Sequence, residues 1–145
     1  MRAHRLDLKL RRPALYSLLK SPLLFLEVIF RSLMIELSLR IFPFKYVVEN
    51  CLKGRLVFRH INDVHLVERV FKFTAMIENH LSRKPSCLRS SLVLFWMIEH
   101  NALLRIGVRK GKSKMDAHAW VERDLKIYSQ TLIHEEYELL TSFEK

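Results

Sequence analysis

From Leu18 to Ile41 apolar residues return every three or four positions. Leu18, Phe25, Val28, Ile29, Leu33, Leu37 and Ile41 keep the phase of a helix. Pro22 fits the first turn of a second helical segment, where its missing N–H costs nothing. Pro43 ends the run at Phe42-Pro43-Phe44, because a proline disfavours helix in the residue before it. A further helix is predicted over 62–80, with Asn62 or Asp63 as its N-cap. Val64, Val67, Val70, Phe71, Phe73 and Ile77 form its apolar side. These stripes read as a helical core. An amphipathic membrane-surface helix over 13–42 would need a clean basic face, and Glu27 and Glu36 interrupt it.

The rhythm changes near Pro85, taken here as the join between a helical region (1–84) and a second region (85–145) of one compact unit. After Lys84-Pro85-Ser86-Cys87, the residues Leu88, Leu92, Phe95 and Trp96 fall on one face of a helix. Alternation then predicts strands over Ala102–Lys110 and Met115–Arg123, joined by a turn at Gly111-Lys112-Ser113. A third strand, Lys126–Ile133, follows a turn at Asp124-Leu125. The tail from His134 to Lys145 reads as a short helix or a frayed end. The expected class is α+β: a helical N-terminal half packed on one helix plus an antiparallel meander.

A chain of 145 residues, half of them hydrophobic, can bury a sizeable core. The formal net charge of +10 implies an anionic partner: nucleic acid, a membrane surface or an acidic peptide. Charge alone does not choose among them. Two cysteines make no disulfide framework. The basic start carries no cleavable signal. The apolar stretch from Pro13 to Phe44 is broken by Lys20, Glu27, Arg31, Glu36 and Arg40, whereas a membrane span needs about 20 mostly uncharged residues. The expectation is a reduced, cytoplasmic protein without membrane association.

Two residues stand out chemically. Cys87 falls in the first turn of a predicted helix, with Ser86 as N-cap. Open N–H groups and the positive helix end favour a thiolate there, and they suit an oxyanion formed by its attack on a carbonyl. A buried structural cysteine is the other reading of that position. His118 lies in Ala117-His118-Ala119-Trp120-Val121-Glu122, where alternation sets His118, Trp120 and Glu122 on one face. Its two alanine neighbours suggest room for the ring to reach a thiolate. Counting back from the turn at Asp124-Leu125 places position 118 opposite 130 or 131, so Gln130, beside Thr131, is the candidate to orient the imidazole. Asp124 lies too far along the ribbon. Glu122 is roughly 13 Å up the same strand.

Other chemistry is thinly represented. Seven histidines and two cysteines lack zinc-ligand spacing, so neither a metal nor a cofactor is expected. There is no phosphate-binding glycine loop. Cys51 is expected to pack. Arg105, Arg109, Lys110, Lys112 and Lys114 make a basic hairpin, read either as a strand edge guarded by charge or as a substrate groove.

Three blocks together carry a resemblance. Cys87-Leu88-Arg89-Ser90-Ser91-Leu92-Val93-Leu94, Arg105-Ile106-Gly107-Val108-Arg109-Lys110 and Ala117-His118-Ala119-Trp120-Val121-Glu122 resemble the lasso-peptide leader peptidases, which have a transglutaminase-like fold. The resemblance implies Cys87 as nucleophile, His118 as base and cleavage of a ribosomal precursor between leader and core. It also implies a separate leader-recognition protein and an ATP-dependent lasso cyclase as partners, and no nucleic acid. There are two departures. His100-Asn101-Ala102 replaces a longer segment, and Gln130 stands where the family usually has Asp. An acyl transferase on the same fold, and a non-catalytic scaffold that binds precursor or nucleic acid, are the alternatives.

Overall fold

Proline sets the first helix at both ends. α1 (Pro22–Ile41) begins on Pro22 and stops two residues before Pro43. Phe42 N–H closes its last turn on the Ser38 carbonyl at 2.8 Å, and the Pro43 carbonyl accepts from Tyr46 at 3.0 Å to open α2 (Phe44–Lys53). This computed structural model describes residues 22–53, 61–81, 86–111, 114–129 and 136–144. The predicted helical segment before Pro22 lies outside them.

α3 (Val64–Leu81) is capped by Asp63, whose Oδ1 accepts from Leu66 N–H at 3.0 Å. α4 (Cys87–Met97) follows Ser86. Every residue of α4 from Ser90 to Met97 is buried, because α1, α2 and α3 cover one side of it and the sheet covers the other. Val28, Val48, Val67, Phe73, Leu92 and Phe95 fill this core, and Cys51 packs among them as expected. Arg31 is also fully buried. Its guanidinium lies 4.7 Å over the Trp96 ring and bonds Glu27 at 2.8 Å. Burial pushes its pKa down, and the Glu27 carboxylate opposes that shift.

β1 (Ala102–Lys110) and β2 (Met115–Arg123) pair antiparallel with the ends that alternation predicts. Asp124 and Leu125 both take positive φ (49° and 63°), the conformation of a tight primed hairpin turn. They lead into β3 (Lys126–Tyr128). This strand is shorter than the expected Lys126–Ile133: pairing stops at Tyr128, and 130–133 lie outside the described residues.

The tail corrects the sequence reading. Its described part, 136–144, carries strand β4 (Glu138–Glu144) in place of the expected helix or frayed end, and the sheet order is β3-β2-β1-β4. The outer edge of β1 offers a row of backbone donors and acceptors, and β4 satisfies them, setting Phe143 beside Leu104 over the core. The register slips between Ile106 and Gly107. β1 is therefore an inner strand, which overturns its reading as a charge-guarded edge. Its arginines are engaged on both sides: Arg105 with Glu122, and Arg109 with Asp116 and Glu136.

Candidate active site

The start of α4 is fixed by a chain of charge-assisted hydrogen bonds. Ser86 has extended backbone angles, and its Oγ accepts from Arg89 N–H at 3.3 Å, the N-cap the sequence predicts. Ser86 N–H in turn donates to Glu78 Oε2 of α3 at 2.9 Å. The same carboxylate receives Arg89 through Nε at 2.6 Å and Nη2 at 2.7 Å, a two-point grip. Arg89 Nη1 reaches Glu36 of α1 at 3.0 Å. Three helices thus meet two residues from Cys87. Glu78 is 1 % exposed, and its bond pushes the Arg89 pKa up. Cys87 is half-buried in the first turn, ahead of the first intrahelical bond from Ser90 N–H to Ser86 O at 3.2 Å.

α4 lies against β2, the strand of His118. One turn beyond Cys87, Ser91 Oγ donates to the carbonyl of Ala119 at 3.0 Å, tying the helix to the residue after His118. His118 itself is buried rather than roomy. The two alanines beside it point to the other face of the strand, while its own face is lined with aromatics. Trp120 stacks at 5.9 Å between ring centres, and Tyr137 lies on it at 5.3 Å. His118 Nε2 is 2.8 Å from Ser129 Oγ. Gln130, the expected partner, lies outside the described residues.

Tyr137 connects the parts. Its hydroxyl donates to Asp116 Oδ2 at 2.8 Å, and the Arg109 guanidinium covers its ring at 4.8 Å. Desolvation pushes its pKa up, helped by the bond to Asp116. Asp116 is held below the usual carboxylate range by the Tyr137 hydroxyl, then by Arg109 and by the charge of His118. Gly107 faces this cluster: a Cβ there would meet Tyr137 Cβ at 2.8 Å and the Trp120 ring at 3.0 Å.

The structure sets Cys87, capped by Ser86, on the helix that docks against the strand of His118; sequence reasoning did not anticipate Ser129, Asp116, Tyr137 or the Glu78–Arg89 grip around them. Asp116 was within reach of the alternation rule, since it shares the parity of His118, Trp120 and Glu122. Ser129 was within reach of the hairpin register, one step beyond the Val121–Tyr128 pair. Glu122 is tied up elsewhere, accepting from the Trp120 indole at 2.9 Å and pairing with Arg105. Among the described residues no cluster of His, Cys, Asp or Glu could hold a metal ion, and no helix is long and apolar enough to cross a membrane.

A cavity of about 420 Å³ between α1, α2 and α4 is lined by Ile35, Tyr46, Cys51 and Trp96, away from Cys87 and His118. The described residues hold 13 Lys or Arg and 13 Asp or Glu, so the net +10 belongs entirely to the remaining positions.

No curated protein and no solved structure matches this chain. A family match does cover residues 48–144, from α2 to the end of β4, and takes in both Cys87 and His118. On that match the chain belongs to the transglutaminase-like superfamily.

Proposed function

We propose that this chain is a cysteine peptidase that cuts the leader from a ribosomally made lasso-peptide precursor. The observation that carries the catalytic part is Cys87 at the start of a buried helix docked on the strand of His118, whose ring is bonded by Ser129 and faced by Tyr137. The substrate part rests on the resemblance of the Cys87, Arg105 and Ala117 blocks to the leader peptidases. The proposed partners are the precursor, a separate leader-recognition protein and the cyclase.

In this reading Ser129 holds His118 Nε2, so Nδ1 is the nitrogen that serves the thiol. His118 takes the proton from Cys87 Sγ. The thiolate attacks the carbonyl of the last leader residue, and the oxyanion is met by N–H groups of the first turn of α4. As the C–N bond breaks, His118 returns the proton to the leaving amine and the core departs with a free amino terminus. The leader remains as a thioester on Cys87. Water, deprotonated by His118, then releases it with a new carboxylate. The faces of Trp120 and Tyr137 attract the imidazolium present between these steps. Asp116, two residues before His118 on the same face of β2, is the carboxylate this reading offers in place of the usual Asp, since Gln130 carries no charge.

The test is mass spectrometry of precursor incubated with this protein and the leader-recognition partner, wild type beside Cys87→Ala. One cut at the leader–core junction, absent with Cys87→Ala, supports the proposal. An intact precursor with both, while partner binding is confirmed, rejects it in favour of a non-catalytic scaffold. An acyl transferase would instead join the leader to an amine, which the product mass distinguishes.

A further inference from the structure

The C-terminal end of β4 carries Phe143, which meets Phe44 at 6.0 Å and packs on the core. The N-terminal end is led in by Glu136 and Tyr137, and Tyr137 reaches across the sheet to His118. A residue beside β4 and a residue on β2 stand two strand spacings apart, roughly 10 Å. The ring centres of Tyr137 and His118 are 5.3 Å apart, so the two side chains meet over β1. The β1 residue paired with His118 is Gly107, and a Cβ there would stand 2.8 Å from Tyr137 Cβ. Glycine keeps that passage open. We infer that Tyr137 is a positioning residue of the active site: entering from the last strand over Gly107, it fixes the orientation of the His118 imidazole toward Cys87.

Three observations separate this role from simple packing. The first is the hydroxyl. It donates to Asp116 Oδ2 at 2.8 Å, and Asp116 shares the face of β2 that holds His118. Tyr137 keeps its proton and Asp116 stays ionised through the neutral range, since desolvation raises the one and the Tyr137 hydroxyl lowers the other. The second is Arg109, the cross-strand partner of Asp116. Its guanidinium covers the phenol ring at 4.8 Å, bonds Asp116 at 3.1 Å and bonds Glu136, the residue before Tyr137, at 2.6 Å. The tyrosine is thus tied to β1 and β2 by its edge and its face. The third is that the grip of β4 on the core sits at Phe143, at the opposite end of the strand. Ser129 bonds Nε2 of His118 at 2.8 Å, and one hydrogen bond sets a distance but not a plane. A tethered ring packed at 40° to the imidazole sets the plane. A misplacement of about 1 Å in a reacting group can cost roughly 100-fold in rate.

The base role of His118 rests on the peptidase reading, so imidazole and chemistry are measured separately, on the full chain. Precursor cleavage with the leader-recognition partner is followed in Tyr137→Phe, Tyr137→Leu and Phe143→Leu. Tyr137→Leu should lower kcat by about 100-fold, and Tyr137→Phe, which keeps the ring and loses its tether, by about tenfold, with KM nearly unchanged in both. Phe143→Leu loosens the other end of β4 and should keep kcat within about twofold. The ring signals of His118 are followed by NMR in protein carrying isotope-labelled histidine and assigned from the spectrum of His118→Ala. They should be sharp in wild type and broadened or split in Tyr137→Leu, at a temperature where both are folded. A kcat unchanged in Tyr137→Leu overturns the positioning role, as does a loss confined to KM or an equal loss in Phe143→Leu. So do His118 signals that Tyr137→Leu leaves unchanged. If the wild type leaves the precursor whole, the peptidase reading fails, and the His118 signals alone decide whether Tyr137 fixes the ring.

Discussion

Replacing Glu78 by Gln tests whether the start of α4 is held by charge. The carboxylate receives three hydrogen bonds, two from Arg89 and one from Ser86 N–H, at a site almost closed to water. Removing one partner of a buried ion pair costs about 3–5 kcal/mol, because the other charge stays buried. Two features reduce this. Arg89 keeps Glu36 at 3.0 Å, and a glutamine oxygen can still accept one bond. The expected loss is therefore about 2–3 kcal/mol. At roughly 2–4 °C per kcal/mol for a chain of this size, the melting temperature should fall by about 5–10 °C. Arg89→Met alone should cost a similar amount by stranding Glu78. The double variant should cost less than the two together, with a coupling of about 1–3 kcal/mol. Urea unfolding of the four proteins gives the cycle. Additive effects, or a Glu78→Gln loss within about 0.5 kcal/mol as for an exposed pair, would refute the reasoning.

Three further outcomes follow from the same geometry. Gly107→Ala forces a Cβ into Tyr137 and Trp120, so it should destabilise the fold by about 1–3 kcal/mol and slow precursor cleavage; an unchanged melting curve would contradict the packing. Ser129→Ala removes the partner of His118 Nε2 and should lower kcat about tenfold with KM nearly unchanged, and a change in KM alone would point to a substrate-binding role. Stability should fall as pH rises past 10. Tyr128 and Tyr137 have folded pKa values raised above the ordinary 10.0, both chiefly by desolvation, so the unfolded chain loses those protons first and unfolding gains from rising pH until the folded groups titrate. Urea midpoints that stay flat from pH 9 to about 11 would contradict this.

The sequence made the local signals legible and left the distant ones hidden. Ser86 before Cys87, Asp63 before Val64 and the pair Asp124-Leu125 are short-range stop and start marks, and each produced the expected cap or turn. The alternation of Ala102–Lys110 and Met115–Arg123 survived into strands with the same ends. β4 was hidden because Leu139-Leu140 breaks its alternation and its partner, β1, lies about 35 residues away in the chain. Glu78 and Arg31 could not be picked out, since nothing near them in sequence announces a partner on another helix. The room expected around His118 was an error of the same kind. Neighbouring alanines describe the opposite face of a strand, while the rings that enclose the imidazole come from Trp120 and from Tyr137 at the far end of the chain.

The most direct test of the central claim is the intact mass of the protein, quenched in acid shortly after mixing with precursor and leader-recognition partner. The account predicts an adduct of one leader on Cys87, lost on treatment with hydroxylamine, absent from Cys87→Ala and scarcely formed by His118→Ala. A leader cleaved by wild type and Cys87→Ala alike, with no adduct at any time, would contradict it.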